Sequence, residues 1–282
     1  MQSLREFKRK VAAATDNVDA PSWLTRIARV GYAARGVVFL IIGGLAVLAA
    51  LGRGGQTGDA KDALQATLSA PGGQVLLGAL ALGLVAFAVW RGFQAAIDPD
   101  HGEVDAKAIA RRIGFAISAI VYLLLAFAAA RMILGSGGEN SGESNTDSWT
   151  AWLMGQPFGR VLVGLLGCII IGVGIGFIAN AWRRKFERNL NVPTNRRKLL
   201  PICRFGIAAR GVVFFIIGGF FVYAAYAYDP SQAGGIEQVF DSTRSQPFGQ
   251  ALLAVMAAGL FSYGVYGIVQ ALYRRVGTSK AT

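Results

Sequence analysis

Six runs of about 20 apolar residues constrain this chain more than any other feature. They carry almost no charge and lie at 31–51, 74–96, 113–134, 158–181, 205–228 and 248–272. At 1.5 Å per helical residue, such a run crosses the roughly 30 Å hydrocarbon core of a bilayer. Only 16% of the residues are charged, against about 25% in soluble domains. The sequence predicts an all-α polytopic membrane protein with six transmembrane helices, and excludes a secreted scaffold or a soluble enzyme.

Positive charge is distributed unevenly between the two sides that these spans define. With a cytoplasmic N-terminus, 23 of the 28 Lys and Arg residues fall on the inner side. The outer side holds only Arg53, Lys61, Arg131, Arg160 and Arg244. Because Lys and Arg in short cytoplasmic loops set orientation, we expect both termini in the cytoplasm. The net charge of +12 then favours anionic lipid headgroups over nucleic acid as partners.

The sequence repeats itself three times. RVGYAARGVVFLIIGG at 29–44 returns as RFGIAARGVVFFIIGG at 204–219, and RIGFAISAIVYLLLAF at 112–127 is a degraded copy. A Pro-x-Gly turn opens the second helix of each unit, at Pro71, Pro157 and Pro247, and a short amphipathic segment precedes each turn. Two spans per unit return the chain to its starting side, so the repeats are parallel. We predict three helix pairs with pseudo-threefold symmetry, roofed outside by three short amphipathic helices.

These repeats divide the chain into five segments. The basic N-terminal tail, 1–25, is either a helix lying on the inner leaflet or a solvated tail. The three repeats and a short C-terminal tail follow, at 26–100, 101–190, 191–275 and 276–282.

The helix-pair unit, with its G-x-A-A-R-G-V-V-F opening in the first and third copies, resembles the bacterial membrane proteins grouped as domain of unknown function 1206. The resemblance covers nearly the whole chain. It implies the fold and a multi-pass location in the bacterial inner (plasma) membrane, but no activity. The middle unit departs from the pattern, because Ser118 stands where the other copies have Arg35 and Arg210.

Those two arginines are the first candidate site residues. A guanidinium group binds phosphate through two hydrogen bonds, so Arg35 and Arg210 predict an anion or lipid-headgroup site at the cytoplasmic mouth. The alternative is that both are topology anchors, which extend to the headgroups or bond carbonyl groups of a neighbouring helix.

A carboxamide near the inner end of every second helix forms the second candidate set. Gln94, Asn180 and Gln270 are related by the same offsets as the Pro-x-Gly turns. Three amides at one height either ring an aqueous path on the threefold axis or bond one another and the backbone across the bundle.

Small residues recur at equivalent positions of the first helices. Heptad spacing keeps each pair on one face, where it allows close helix approach. We assign helix packing to Gly36, Gly43, Ala119, Ala126, Gly211 and Gly218. Trp90 is assigned, with other Trp and Tyr residues, to an interfacial belt.

Several sequence motifs are absent, and their absence reduces the number of functions that the chain could have. None of the 16 acidic residues lies inside a span, which disfavours transport coupled to protons or sodium. The single histidine, His101, lies in an acidic loop, and Cys168 and Cys203 are predicted to be free thiols. With no phosphate-binding loop or nucleophile elbow, we predict no catalytic residue, metal or cofactor. Two functions remain: a structural or accessory module that contacts lipids or a partner membrane protein, and a passive pore for a small anionic solute.

Overall fold

The computed structural model describes residues 22–52, 60–97, 106–135, 145–156, 158–233 and 235–274. The predictions for the tail up to residue 21, His101, Pro157 and the tail 276–282 fall outside these residues. The described part contains nine α-helices: α1 (Ser22–Ala50), α2 (Ala60–Leu68), α3 (Gly73–Ile97), α4 (Ala106–Ile133), α5 (Asn145–Met154), α6 (Gly159–Trp182), α7 (Leu199–Ala227), α8 (Ile236–Arg244) and α9 (Gly249–Tyr273).

Six of these helices, α1, α3, α4, α6, α7 and α9, are long and apolar enough to cross a membrane. The prediction of a multi-pass, all-α membrane protein is therefore confirmed. The helix α1 begins nine residues before the predicted span because Leu24 and Ala28 are buried with Tyr32 and Trp90. Hydropathy alone begins the span too late, since the exposed Arg26 and Arg29 interrupt the buried positions.

The short helices α2, α5 and α8 each precede a tight turn into a second membrane helix. The residue before that helix has a left-handed backbone in all three turns, with φ of 70°, 63° and 61° at Gly72, Phe158 and Phe248. The next residue is always glycine because a Cβ there would collide with backbone atoms of the short helix; these glycines are Gly73, Gly159 and Gly249. The Pro-x-Gly signature thus reflects a required backbone geometry.

The second helix of each repeat packs against the first helix of the next repeat. The three such interfaces are α3 with α4, α6 with α7, and α9 with α1, so the last repeat closes onto the first. We call the end of the bundle where α3, α6 and α9 finish the linker end. The three short helices occupy the opposite end.

Small residues line these interfaces as their spacing suggests. A Cβ added at Gly36 or Gly43 would collide with the backbone of α9, and one added at Gly211 or Gly218 with the backbone of α6. In the middle repeat Ala126 is buried and Ala119 is half-buried. The backbones of α1 and α9, and of α6 and α7, therefore approach closely, which is the contact that lipid-embedded helices depend on.

The two membrane helices of a repeat pack against each other in only two of the three repeats. The helices α1 and α3 pack together, as do α7 and α9, but α4 and α6 make no comparable contact. Only 17% of the apolar stretch of α4 or α6 is buried, against 50% in α3 and α9. The ring of six helices is thus open within the middle repeat. We call the gap between α4 and α6 the seam.

Candidate functional site

Arg35 is buried in the middle of the bundle. It lies about 20 Å along α1, and only 4% of its surface is exposed. Its Nη2 donates a hydrogen bond of 2.6 Å to Oε1 of Gln270 on α9. The guanidinium lies 5.0 Å from the ring centre of Phe87 and 5.2 Å from that of Tyr263. The structure therefore joins one predicted arginine to one predicted amide, an association that the sequence did not indicate.

Arg210 approaches the same region from α7. Its guanidinium lies 4.5 Å from the ring centre of Tyr263 and 4.5 Å from that of Phe39. Phe177 and Phe214 complete its aromatic surroundings. Because Tyr263 contacts the guanidinium groups of both Arg35 and Arg210, the two predicted site residues belong to one cluster.

A third arginine, Arg91 on α3, belongs to the cluster and was missed by the sequence analysis. Its Nη1 donates a 3.1 Å hydrogen bond to Oε1 of Gln94. Its guanidinium lies 5.0 Å from the ring centres of both Phe87 and Phe115. The available signal was its position three residues before Gln94, since residues i and i+3 are neighbours on a helix. We call Arg35, Arg91 and Arg210 the arginine cluster.

The three predicted amides have different surroundings. Gln94 and Gln270 are buried and each accepts a hydrogen bond from an arginine. Asn180 on α6 is half-buried, and no hydrogen bond joins it to the arginine cluster in the described part of the chain. Among the described residues, the amides thus serve as partners of arginines and do not bond one another.

Trp90 does not belong to an interfacial belt, so that prediction is wrong. Only 2% of its surface is exposed, and its Nε1 donates a 3.0 Å hydrogen bond to the Tyr32 hydroxyl. The phenol supplies the acceptor that a buried indole needs, and this pair supports the aromatic wall around Arg35. Cys168 and Cys203 are free, as predicted.

The arginine cluster carries positive charge without a matching carboxylate among the described residues. Buried charges in proteins are ordinarily paired. Here aromatic faces surround the cations, and each such contact contributes about 0.5–2 kcal/mol. Arg160, by contrast, donates from its Nε to the Ala225 carbonyl oxygen. The Nε atoms of the three cluster arginines have no such acceptor.

Several buried donors of the site lack an acceptor. The Nε atoms of Arg35, Arg91 and Arg210 and the Nε2 of Gln94 have no hydrogen-bond partner. All four are N–H donors, so what is missing is an acceptor, ideally a negatively charged one. An anion with several oxygens would satisfy both the charge and the hydrogen-bonding capacity of these groups.

The described residues contain no group of three or more His, Cys, Asp or Glu side chains placed to hold a metal ion. The arginine cluster and Gln94 hold several of the buried donors that lack an acceptor in the described part of the bundle.

Comparison with known proteins places all three repeats in one family. The family described as Domain of Unknown Function (DUF1206) matches residues 30–98, 113–184 and 205–274. "Uncharacterized protein YxxB" of Bacillus subtilis (strain 168) is 31% identical over 262 residues, which cover 92% of this chain and 94% of the relative. No solved structure matches the chain. The matches span each of the helix pairs described above, and the chain belongs to the DUF1206 family.

Proposed function

We propose that this protein is a non-enzymatic membrane module that binds a phosphate-bearing anion at the arginine cluster. The observation that carries the proposal is the convergence of Arg35, Arg91 and Arg210 with no carboxylate partner among the described residues. The role we assign is structural or accessory: the module recognises an anionic lipid, or a partner membrane protein together with that lipid.

Energetics favour a bound anion over an empty site. Each arginine at the membrane centre costs about 2.5–3.5 kcal/mol on insertion scales, and cation–π contacts offset part of that cost. Like charges in one cluster also repel. A phosphate group would accept hydrogen bonds from several guanidinium donors at once and offset part of the positive charge of the cluster.

Orientation makes a lipid headgroup a natural source of that phosphate. With the linker end in the cytoplasm, as the distribution of Lys and Arg predicts, the cluster lies in the half of the bundle nearer the leaflet richest in anionic lipids. The exposed Arg26 and Arg29 on the same end of α1 would contribute attraction at longer range.

A second candidate function is passive passage of a small anion through the bundle. The convergence of arginines from α1, α3 and α7 favours it, because a shared cationic site between several helices is what such a path requires. A flux assay distinguishes the two. Vesicles containing the purified protein would release trapped anion under the facilitator hypothesis and retain it under the binding hypothesis.

Binding is tested by substituting one cluster arginine at a time. We expect the purified protein in detergent to bind inorganic phosphate and phosphatidylglycerol, with affinity falling about tenfold or more in Arg210→Gln because a charged hydrogen bond is lost. Arg29→Gln is the matched control, since it removes the same charge from an exposed position on α1. Isothermal titration calorimetry measures the affinity for phosphate, and native mass spectrometry measures the bound lipid.

A measurement without anion separates a binding role from a structural one. If the arginines exist to bind an anion, Arg210→Gln raises the melting temperature of the anion-free protein by removing charge repulsion, while the same concentration of anion stabilises it less. The proposal would be contradicted by a variant whose melting temperature is lower than that of the wild type and is raised by anion as much as in the wild type.

A further inference from the structure

The seam lies at helix positions whose equivalents are in close contact in the first and third repeats. A Cβ added at Gly31 would collide with the Phe87 backbone, and one at Gly206 with the Tyr263 backbone. The equivalent residues of the middle repeat are Gly114 and Val173. A Cβ at Gly114 would meet nothing within 4 Å. The middle repeat thus keeps the glycine that permits close contact but lacks the contact itself.

The sequence gives a steric reason for this opening. Gly83 would collide, if it carried a Cβ, with the Cβ of Ala34, and Gly259 with that of Ala209. The middle repeat has Ile169 and Ile117 at these equivalent positions. Two branched side chains replace a glycine–alanine contact that leaves no room for one extra carbon. The helices α4 and α6 cannot approach each other as their counterparts do.

Two aromatic rings are also missing from the α6 side of the seam. Val173 stands where Phe87 and Tyr263 lie, and it is 45% exposed although both aromatic counterparts are buried. Gly176 stands where the other repeats have buried Trp90 and Tyr266, and a Cβ on it would meet nothing within 4 Å. The middle repeat therefore leaves open the region that aromatic side chains fill in the other two.

Two members of the arginine cluster contact the helices that border the seam. Arg91 packs on the ring of Phe115, the residue after Gly114 on α4. Arg210 packs against Phe177, the residue after Gly176 on α6. One cationic side chain therefore stands beside each wall of the seam, close to its open glycine. The helices that border the seam thus each carry an aromatic ring in contact with an arginine of the cluster.

Part of the linker end is covered. The segment after α6 folds back over α9, where the backbone N–H of Asn191 donates a 2.8 Å hydrogen bond to the Tyr273 carbonyl. Phe186 on this segment is buried against Tyr266. This cover shields the α9 side of the cluster from the aqueous phase, whereas the seam faces the hydrocarbon.

We infer that the ligand of the arginine cluster is an anionic phospholipid that enters sideways through the seam. Its phosphate accepts hydrogen bonds from the arginine cluster, and an acyl chain lies in the seam against Ile117, Ile169 and Val173. This inference rests on the proposed function and specifies its ligand. The positive charge of the cluster favours an anionic headgroup. The apolar walls of the seam favour a lipid over a free anion, because a free anion would have to leave water to enter by this route.

The test closes the seam without changing an arginine. The double variant Ile117→Ala, Ile169→Gly rebuilds the small-residue contact of the outer repeats. The matched control, Leu123→Ala with Ile175→Gly, makes the same kinds of change on exposed positions of the same helices, six residues away and about 120° around each helix. A second variant, Gly176→Trp, places in the seam the ring that Trp90 supplies in the first repeat. It tests the same inference if the double variant fails to fold.

Native mass spectrometry of protein released from phosphatidylglycerol nanodiscs measures bound lipid, and calorimetry in detergent measures inorganic phosphate. We expect phosphatidylglycerol binding by the seam variants to fall at least about tenfold. Their affinity for inorganic phosphate should stay within about twofold of the wild-type value, and the control should bind both ligands as the wild type does. Undiminished lipid binding in the seam variants, with both ligands lost in Arg210→Gln, would overturn lateral entry and leave the proposed function standing. Failure of the wild type to bind either ligand would overturn both.

Discussion

The outer repeats and the middle repeat share a sequence pattern and differ in how their two membrane helices meet. In the first and third repeats, glycine and alanine let the helices touch, and buried aromatic rings fill the interior. In the middle repeat, isoleucines stand at the equivalent glycine and alanine positions, and α6 lacks two of those rings. Two repeats are closed by helix contacts, and the open repeat is where we propose that a lipid enters. The proposed site therefore depends on the asymmetry between the repeats.

The largest expected effect comes from substituting equivalent glycines of a closed and an open repeat. Gly206→Val places side-chain atoms against the Tyr263 backbone, so we expect a loss of more than about 3 kcal/mol of stability or no folded protein. Gly114→Val enters open space and should change stability by less than about 0.5 kcal/mol. Fluorescence-detected size exclusion after heating measures both. Equal loss in the two variants would mean that the seam is closed in the membrane.

A smaller effect is expected when the middle repeat receives the arginine of its neighbours. Ser118→Arg adds a cation one helical turn after Phe115, whose ring contacts Arg91. We expect phosphate affinity to rise about tenfold and the melting temperature of the anion-free protein to fall, because repulsion increases. Calorimetry and thermal unfolding at low and high phosphate provide the readouts. Ser118→Gln is the uncharged control, and the same affinity in both variants would exclude Ser118 from the site.

The smallest expected effect concerns the turns at the opposite end of the bundle. Phe248 adopts a left-handed backbone where the first repeat uses Gly72. Because that conformation costs a residue with a Cβ about 1–2 kcal/mol and glycine offsets part of the gain by its greater chain entropy, Phe248→Gly should raise stability by about 1 kcal/mol. Thermal unfolding in detergent measures the change. A fall would indicate that the exposed ring contributes more than the strain it imposes.

Part of the site was predictable from the sequence and part was not. Arg35 and Arg210 stand out because they interrupt an apolar repeat, and Gln94 and Gln270 stand out by the common offset of the second helices. Arg91 was missed because it lies near the end of its span and counted as a topology charge. Trp90 was assigned to the membrane interface because an amphipathic ring near a helix end has that preference. Its actual partner, the Tyr32 hydroxyl, is 58 residues away in the chain.

The sequence by itself determined six membrane helices, three parallel repeats, the turns between them and the family. These features depend on local periodicity, on hydrophobic length and on backbone requirements that single residues express. Tertiary structure decided which helices pack together, that arginines from three helices share one aromatic enclosure, and that the ring is open in the middle repeat. Those outcomes depend on side chains far apart in the chain, and on whether glycine or isoleucine stands at one helix contact.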